Sequence, residues 1–395
     1  MQGRSGCTGN GMAAMAACAA IAMAACAAMA MGACAVAAER DAPGTRQWSG
    51  AEQDIVCPVY ACGANSPTID SVGFHELNVF DPGGASPGLT ASNAEGFALR
   101  AVDHRAQIVD SEGVAYNLYV VAGQFGGSHC TTWPCGPATF ELYGSALVGA
   151  HIPLVRGTNS YQLVITGVRK TGYFLEPGTG DAVIEAYTLR WVAEETGVTT
   201  KLCDGPPENP TGDSKHLMGL RSYEAVVFEG DRFDNATLTV KPDADNNWVN
   251  IGCAAATLAK LLLTHNTIHT LGNPPSWAAR QATLKMFSAD YCGTGETFTV
   301  PRQALAWQGG AMTGYYHDEE ILSFEARWGP NGATCLADPR MNHPSTPRGK
   351  RAQQRILNAL ATACSLPSCS NVDPPDQFDG ALRISANPVE AGAGP

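Results

Sequence analysis

Ala289-Asp290-Tyr291-Cys292, followed by Gly293, joins a helix end, a cysteine and a turn in one short signature. Upstream of it, Asn273-Pro274-Pro275-Ser276 stops one helix and starts another, and the Ser276 hydroxyl is placed to accept an unpaired N–H of the new first turn. The helix that follows sets Ala279, Ala282, Met286, Ala289 and Cys292 near one stripe, so Cys292 is expected to face inward. Gly293 suits the left-handed residue that closes a helix. Earlier still, Ala255, Leu258, Ala259 and Leu262 recur at helical spacing between Gly252 and His265. Downstream, Leu322, Phe324, Ala326 and Trp328 alternate with Ser323, Glu325 and Arg327, the period of a strand with one buried face. Thr297 to Val300 carries a shorter strand signal, and a last helix is expected from about Gly349 to Ala363.

The preceding residues favour strands throughout. Tyr116 to Val121, Tyr161 to Val168 and Val183 to Trp191 are candidates, the last with Tyr187, Leu189 and Trp191 on one face. Tyr223 to Glu229 and Asn235 to Lys241 follow. Between these groups lies Asp204-Gly205-Pro206-Pro207-Glu208-Asn209-Pro210-Thr211-Gly212, whose prolines and glycines oppose helix and central strand alike. A domain boundary is expected there. The resulting fold class is α+β: a β-rich N-terminal domain over 57–202, then a mixed, disulfide-stabilised α+β domain over 203–370, then a flexible tail over 371–395.

The chain has 395 residues, 45% of them hydrophobic, enough to bury a substantial core. Its net charge of −12, with only 25 Lys and Arg, argues against a nucleic-acid surface, which needs clustered cations. The one basic run, Arg348, Lys350, Arg351 and Arg355, reads as a solvated helical face. Residues 1–38 hold one charged side chain, Arg4, and an Ala/Met/Cys-rich run, which reads as a secretory signal. Two processing sites stay open. Met31-Gly32-Ala33-Cys34 is a lipobox-like sequence in which Cys34 would carry lipid, with a second imperfect match at Met23-Ala24-Ala25-Cys26; Val36-Ala37-Ala38 fits ordinary cleavage before Glu39. Residues 39–56 read as a tether, and no later segment approaches the roughly 18 apolar residues of a membrane span.

Ten cysteines remain beyond the signal: Cys57, Cys62, Cys130, Cys135, Cys203, Cys253, Cys292, Cys335, Cys364 and Cys369. An even set in an exported chain reads as disulfides. Cys57/Cys62, Cys130/Cys135 and Cys364/Cys369 share one spacing and an internal proline, so local disulfides are expected in preference to zinc, even with His129 beside Cys130.

The stretch from Asn247 to about Ala337 resembles the ADYC-domain family of bacterial exported proteins. The residues that carry the resemblance are Gly252-Cys253, Ala259-Lys260, Trp277, Arg280-Gln281-Ala282, Met286, Ser288 through Gly293, Thr297 to Val300, Phe324-Glu325-Ala326, Trp328, Gly332-Ala333 and Cys335. Cys62 to Pro67 and Phe74 to Asn78 look like the N-terminal part of longer members. The family brings no established activity. Where members often carry two further cysteines, this chain has Leu261 and Thr283. The resemblance thereby implies a bridge between Cys253 and Cys292, and a pairing of Cys203 with Cys335.

Asp290 sits at the negative end of its helix dipole, a placement costing on the order of 0.3–1 kcal/mol, so something should compensate it. Backbone N–H groups at Cys292 and Gly293, or Arg302, are the expected partners. Other motifs fail on context. Gly84-Ala85-Ser86-Pro87-Gly88 matches a hydrolase elbow in letters but has a proline after the serine. His265 and His269 have helical metal spacing without a third ligand. Asp243-Ala244-Asp245-Asn246-Asn247 is calcium-loop-like, yet lacks the turn glycine and the closing glutamate. His317-Asp318-Glu319-Glu320 reads as a solvated turn, and neither Gly178-Thr179-Gly180 nor Gly293-Thr294-Gly295 continues into a phosphate loop.

The expectation is therefore an exported envelope protein, lipid-anchored at the outer membrane or periplasm through Cys34 or secreted, acting as a non-catalytic binding or structural module. No cofactor, metal or nucleic acid is expected, and membrane contact only through the anchor. The alternative is an extracellular hydrolase built from Asp290, Tyr291, His317 and Glu325. A second alternative is calcium-dependent adhesion through Asp243 to Asn247.

Overall fold

Short runs of alternating burial build most of this molecule as antiparallel strands, as in β2 (Arg105–Val109) and β6 (His151–Arg156), where every second side chain is buried. The computed structural model describes residues 64–65, 76–82, 88–129, 140–173, 183–203, 220–221, 223–242, 247–254, 256–268, 274–300, 303–309, 312–314, 321–345, 347–369 and 382–389. All of them belong to one compact unit, Pro43–Pro395. The expected signal, the lipobox with Cys34, the tether, Cys57, Cys62, Cys130, Cys135, the Gly84–Pro87 part of the elbow-like loop, the Asp204–Gly212 linker, His269, Arg302 and His317 to Glu320 lie outside the described residues, as do Gly178 to Gly180 and Asp243 to Asn246.

The main sheet has thirteen strands. Its longest path runs β1 (Glu76–Asn78), β12 (Trp248–Cys253), β9 (Glu224–Glu229), β8 (Val183–Ala193), β7 (Asn159–Gly172), β6, β2, β3 (Ala115–Val121), β4 (Gln124–Ser128) and β5 (Leu142–Tyr143). The expected boundary near residue 202 does not interrupt it. β8 pairs with β9 through Tyr187 and Ala225, and β12 pairs with β1 through Val249 and Leu77, so strands from either side of the linker share one hydrogen-bond ladder.

One face of this sheet closes on itself. Phe125 of β4 meets Tyr187 of β8 edge-on at 4.9 Å, Phe125 N–H donates to the Tyr187 hydroxyl at 2.8 Å, and Ala122 N–H donates to Glu229 Oε1 at 2.8 Å. Leu118, Ile152, Leu163, Val227 and Ile251 fill the interior between. On the other face, Val226 and Phe228 of β9 pack against α1 (Thr257–Leu263) and α2 (Trp277–Ser288). The central strands are thus buried on both sides.

A second sheet of five strands closes the helical layer: β14 (Met312–Gly314), β13 (Ala306–Gly309), β17 (Arg383–Val389), β15 (Ile321–Gly329) and β16 (Gly332–Leu336), in that order. β17 corrects the expected flexible tail. Its polar composition hid a strand that lies between β13 and β15, held further by Arg383 Nε donating to Thr283 Oγ1 at 2.8 Å and Nη2 to Asn266 Oδ1 at 2.8 Å. α3 (Pro347–Ala363) packs Ile356 and Leu360 inward.

Smaller expectations also shift. Gly252 and Cys253 end β12 instead of starting a helix, and a Cβ on Gly252 would lie 2.6 Å from Ala259 N, so glycine permits the close approach of strand and helix. Asn235 to Leu238 is a turn, with only β11 (Thr239–Lys241) paired to β10 (Arg232–Asp234). Thr297 to Val300 is not a strand, because Phe298 N–H bonds back to Ala289 O at 3.2 Å.

Three disulfides are described: Cys203–Cys253, Cys292–Cys364 and Cys335–Cys369, spanning 50, 72 and 34 residues. None is a pair read from spacing or implied by the resemblance. Cys364 and Cys369 go separate ways because the chain after α3 runs beside β16, with Leu336 N–H on Pro367 O at 3.0 Å and Cys369 N–H on Leu336 O at 3.3 Å. That path brings Cys369 to Cys335 and leaves Cys364 at the end of α3, against Cys292. Cys253 is drawn instead to Cys203, with Cα atoms 5.5 Å apart.

Candidate functional site

The signature begins where α2 ends. Ser276 caps the helix as expected, accepting from Ala279 N–H at 3.2 Å, but the residue that closes it is Ala289, at φ 52° and ψ 39°, not Gly293. A left-handed non-glycine costs about 1–2 kcal/mol, and the turn holds it by bonding Ala289 N–H to Lys285 O and Met286 O. Gly293, at φ 72°, is needed for close approach instead, since a Cβ there would lie 2.0 Å from Asn331 O. Gly332 is the counterpart, because its Cβ would lie 2.6 Å from Tyr291 O. These two glycines let the turn dock on the β15–β16 hairpin, where Ala333 N–H donates to Tyr291 O at 2.9 Å.

Asp290 is fully buried and compensated, though not by the N–H groups of Cys292 and Gly293. Lys285 Nζ lies 2.5 Å from its Oδ2, and Gly295 N–H donates to the same oxygen at 2.8 Å. Lys285 directs its remaining donors to Thr237 O at 2.8 Å and Gly293 O at 3.4 Å. Residue 285 reaches 290 because both flank the same helix end, and the ammonium there also meets the negative dipole.

Tyr291 stacks on Trp328, centroids 5.1 Å apart, and donates its hydroxyl to Glu325 Oε1 while accepting Arg340 N–H at 3.1 Å. Burial, and then the Glu325 carboxylate, push its phenol well above the ordinary tyrosine range. Arg340 grips Glu325 with both prongs, Nε to Oε1 at 2.6 Å and Nη2 to Oε2 at 3.1 Å, and Nη2 also reaches Met286 O at 2.9 Å. Arg340 and Glu325 are both 0% exposed. Burial opposes the guanidinium charge, but Glu325 and Tyr291 beside it raise its pKa.

Alternation alone puts Glu325 on the polar side of its strand. A register shift between Phe324 and Ala326 makes it the extra residue of a bulge and turns it into the core. Arg340 carries no periodic signal in Asp338-Pro339-Arg340-Met341, and Lys285 looks like an ordinary helical lysine; a carboxylate lodged between apolar strand residues is the one hint that a buried cation has to exist. Lys260 on α1 is equally unforeseen. It is 1% exposed, and its Nζ has no hydrogen-bond partner among the described residues. Burial, and then the nearby Arg340 charge, hold its pKa well below the lysine norm.

The structure therefore joins Tyr291 to Glu325 and gives Asp290 a separate partner. These two carboxylates, the phenol and the arginine are buried in the core, Asp290, Glu325 and Arg340 at 0% exposure and Tyr291 at 1%. His265, from the expected histidine pair, stacks on Tyr173 at 4.1 Å. A more open cluster lies nearby: Asp338 Oδ2 accepts from Ser323 Oγ at 2.5 Å and contacts His343 Nε2 at 2.5 Å, while Oδ1 accepts from Asn342 at 2.7 Å. The serine and the histidine both bond the carboxylate, so His343 is not placed to take the Ser323 proton. Among the described residues no group of three or more His, Cys, Asp or Glu is arranged to hold a metal, and no helix is long and apolar enough to cross a membrane.

The sequence profile of the ADYC domain matches residues 144–342. The chain belongs to the ADYC-domain family. The match starts about a hundred residues before the stretch that carried the resemblance, within the expected β-rich domain. The ADYC domain thus includes β6 to β8 of the main sheet, in keeping with the ladder that crosses residue 202. No curated protein and no solved structure matches the chain.

Proposed function

We propose that this ADYC protein is an exported envelope component whose ADYC domain is a non-catalytic scaffold with a binding or structural role. The observation that supports it best is that three of the four candidate hydrolase side chains are consumed internally: Asp290 by Lys285, Tyr291 by Glu325, and Glu325 by Arg340, each at most 1% exposed. A hydrolase would need at least one of these groups free to meet a substrate and water. Three disulfides favour an oxidising compartment.

Two measurements test the parts separately. Mass analysis of the mature N-terminus in a bacterial host should find lipidated Cys34 or free Glu39; cytosolic protein retaining Met1 would overturn export. Purified protein should show no turnover on ester, peptide, glycoside or phosphoester panels. Turnover abolished by Glu325→Gln in a still-folded protein would establish the hydrolase instead.

A further inference from the structure

α3 contains no acidic residue, yet Arg348, Lys350, Arg351 and Arg355 fall within its first nine positions and all four are exposed. None of them has a hydrogen-bond or ion-pair partner among the described residues. The chain carries 37 Asp and Glu, so composition does not force cations to stand without a carboxylate among the described residues. The arrangement also works against the helix, because cations in the first turn face the positive end of its dipole. At about 100° per residue, Arg348, Arg351 and Arg355 lie within roughly 60° of one another, along about 10 Å of helix. The opposite side, with Gly349, Ile356 and Leu360, is buried in the protein.

We propose that this face of α3 is a contact surface for an anionic phospholipid membrane. The rest of the face argues for that class over the other polyanions. Gln354, Asn358 and Thr362 continue the stripe, with no aromatic side chain on which a nucleobase could stack. It offers no apolar anchor of the kind that centres a protein interface. Because the apolar side of α3 is committed to the core, the helix does not insert, and contact is made by charge alone with a plane of phosphates. The export reading supplies only the location, an envelope membrane close by; the surface itself is independent of it.

Co-sedimentation of the purified protein with vesicles tests this. Vesicles containing phosphatidylglycerol should pull it down and pure phosphatidylcholine should not, with binding lost in high salt. Arg351→Gln should weaken binding roughly fivefold, and the triple change R348Q/R351Q/R355Q on the order of a hundredfold. The same triple should melt no lower than the parent. A charge-matched control, K170Q/R190Q/K201Q, at three exposed positions elsewhere, should bind nearly as well as the parent. Equal losses in both triples, equal binding to neutral vesicles, or binding to soluble polyphosphate without vesicle binding would each overturn the proposal. A positive vesicle result with a cytosolic protein would refute export and leave the surface standing.

Discussion

Lys260→Met should make this protein more stable. Lys260 is 1% exposed and its Nζ lacks a partner among the described residues, so the native state bears the full cost of an unsatisfied buried polar group, about 1–3 kcal/mol. Methionine keeps the unbranched length, and volume-conserving exchanges in a core cost under about 1.5 kcal/mol, so at the middle of both ranges the net gain is about 1 kcal/mol. The pH dependence gives a second signature. In the unfolded chain the amine titrates near about 10.4. In the fold its pKa lies well below that, because burial and Arg340 disfavour the charge. Between the two values the unfolded state holds one more proton, so wild-type stability rises with pH, by up to about 1.4 kcal/mol per unit. Below the folded-state value both states are protonated and the slope from this group vanishes. Urea titrations of both proteins across that window, under non-reducing conditions, should show the variant more stable, with the advantage shrinking as pH rises. A destabilised variant would refute the reasoning: it would mean that neutral Nζ accepts a bond, with Arg340 Nη1, itself unpaired among the described residues, as the donor at hand.

Three further outcomes are expected. Arg340→Met strands Glu325 in the core and should cost about 3–5 kcal/mol, read by the same titrations, whereas a surface pair such as Lys241–Asp234 should cost under about 1 kcal/mol when broken. Burial raises the Asp338 pKa, but hydrogen bonds from Ser323, Asn342 and His343 outweigh it and lower the value overall. Its contribution is therefore complete above its unfolded pKa of about 3.9 and is lost as pH falls through the lowered native value; Asp338→Asn should melt with a flatter dependence in that acid range, and an unchanged profile would count against the cluster. Non-reducing peptide mapping should recover Cys203 with Cys253, Cys292 with Cys364, and Cys335 with Cys369; a Cys364–Cys369 peptide would refute the path of the chain after α3.

The sequence is legible wherever one physical period rules a whole element. β8 and α3 run close to where alternation or helical spacing puts them, and Ser276 caps its helix by the chemistry that makes it a candidate. It is illegible wherever a distant partner decides. The strand at Arg383–Val389 has little apolar pattern of its own and is held because β13 and β15, already paired with β14 and β16, would each have one unpaired edge without it. The disulfides follow spatial adjacency that no spacing encodes, and Glu325 turns inward only because a bulge breaks its alternation. The linker misleads for a related reason: prolines mark a break in the chain, and a sheet can close its ladder across such a break.

The four letters of the signature answer to four different parts of the molecule. Ala289 bends the chain at the end of α2, Asp290 fastens Lys285, Tyr291 bridges Trp328 to Glu325 and Arg340, and Cys292 ties the end of α3. A change at any one of them disturbs a different contact, so the resulting losses should be nearly independent where the partners are far apart and coupled where they share Glu325. Tyr291→Phe and Arg340→Met should therefore be strongly non-additive, while Tyr291→Phe and Asp290→Asn should come closer to summing. A joint made this way restricts what can occupy those positions without restricting the outer surface. On the scaffold role proposed above, binding specificity is expected outside the signature, on faces such as the cationic side of α3.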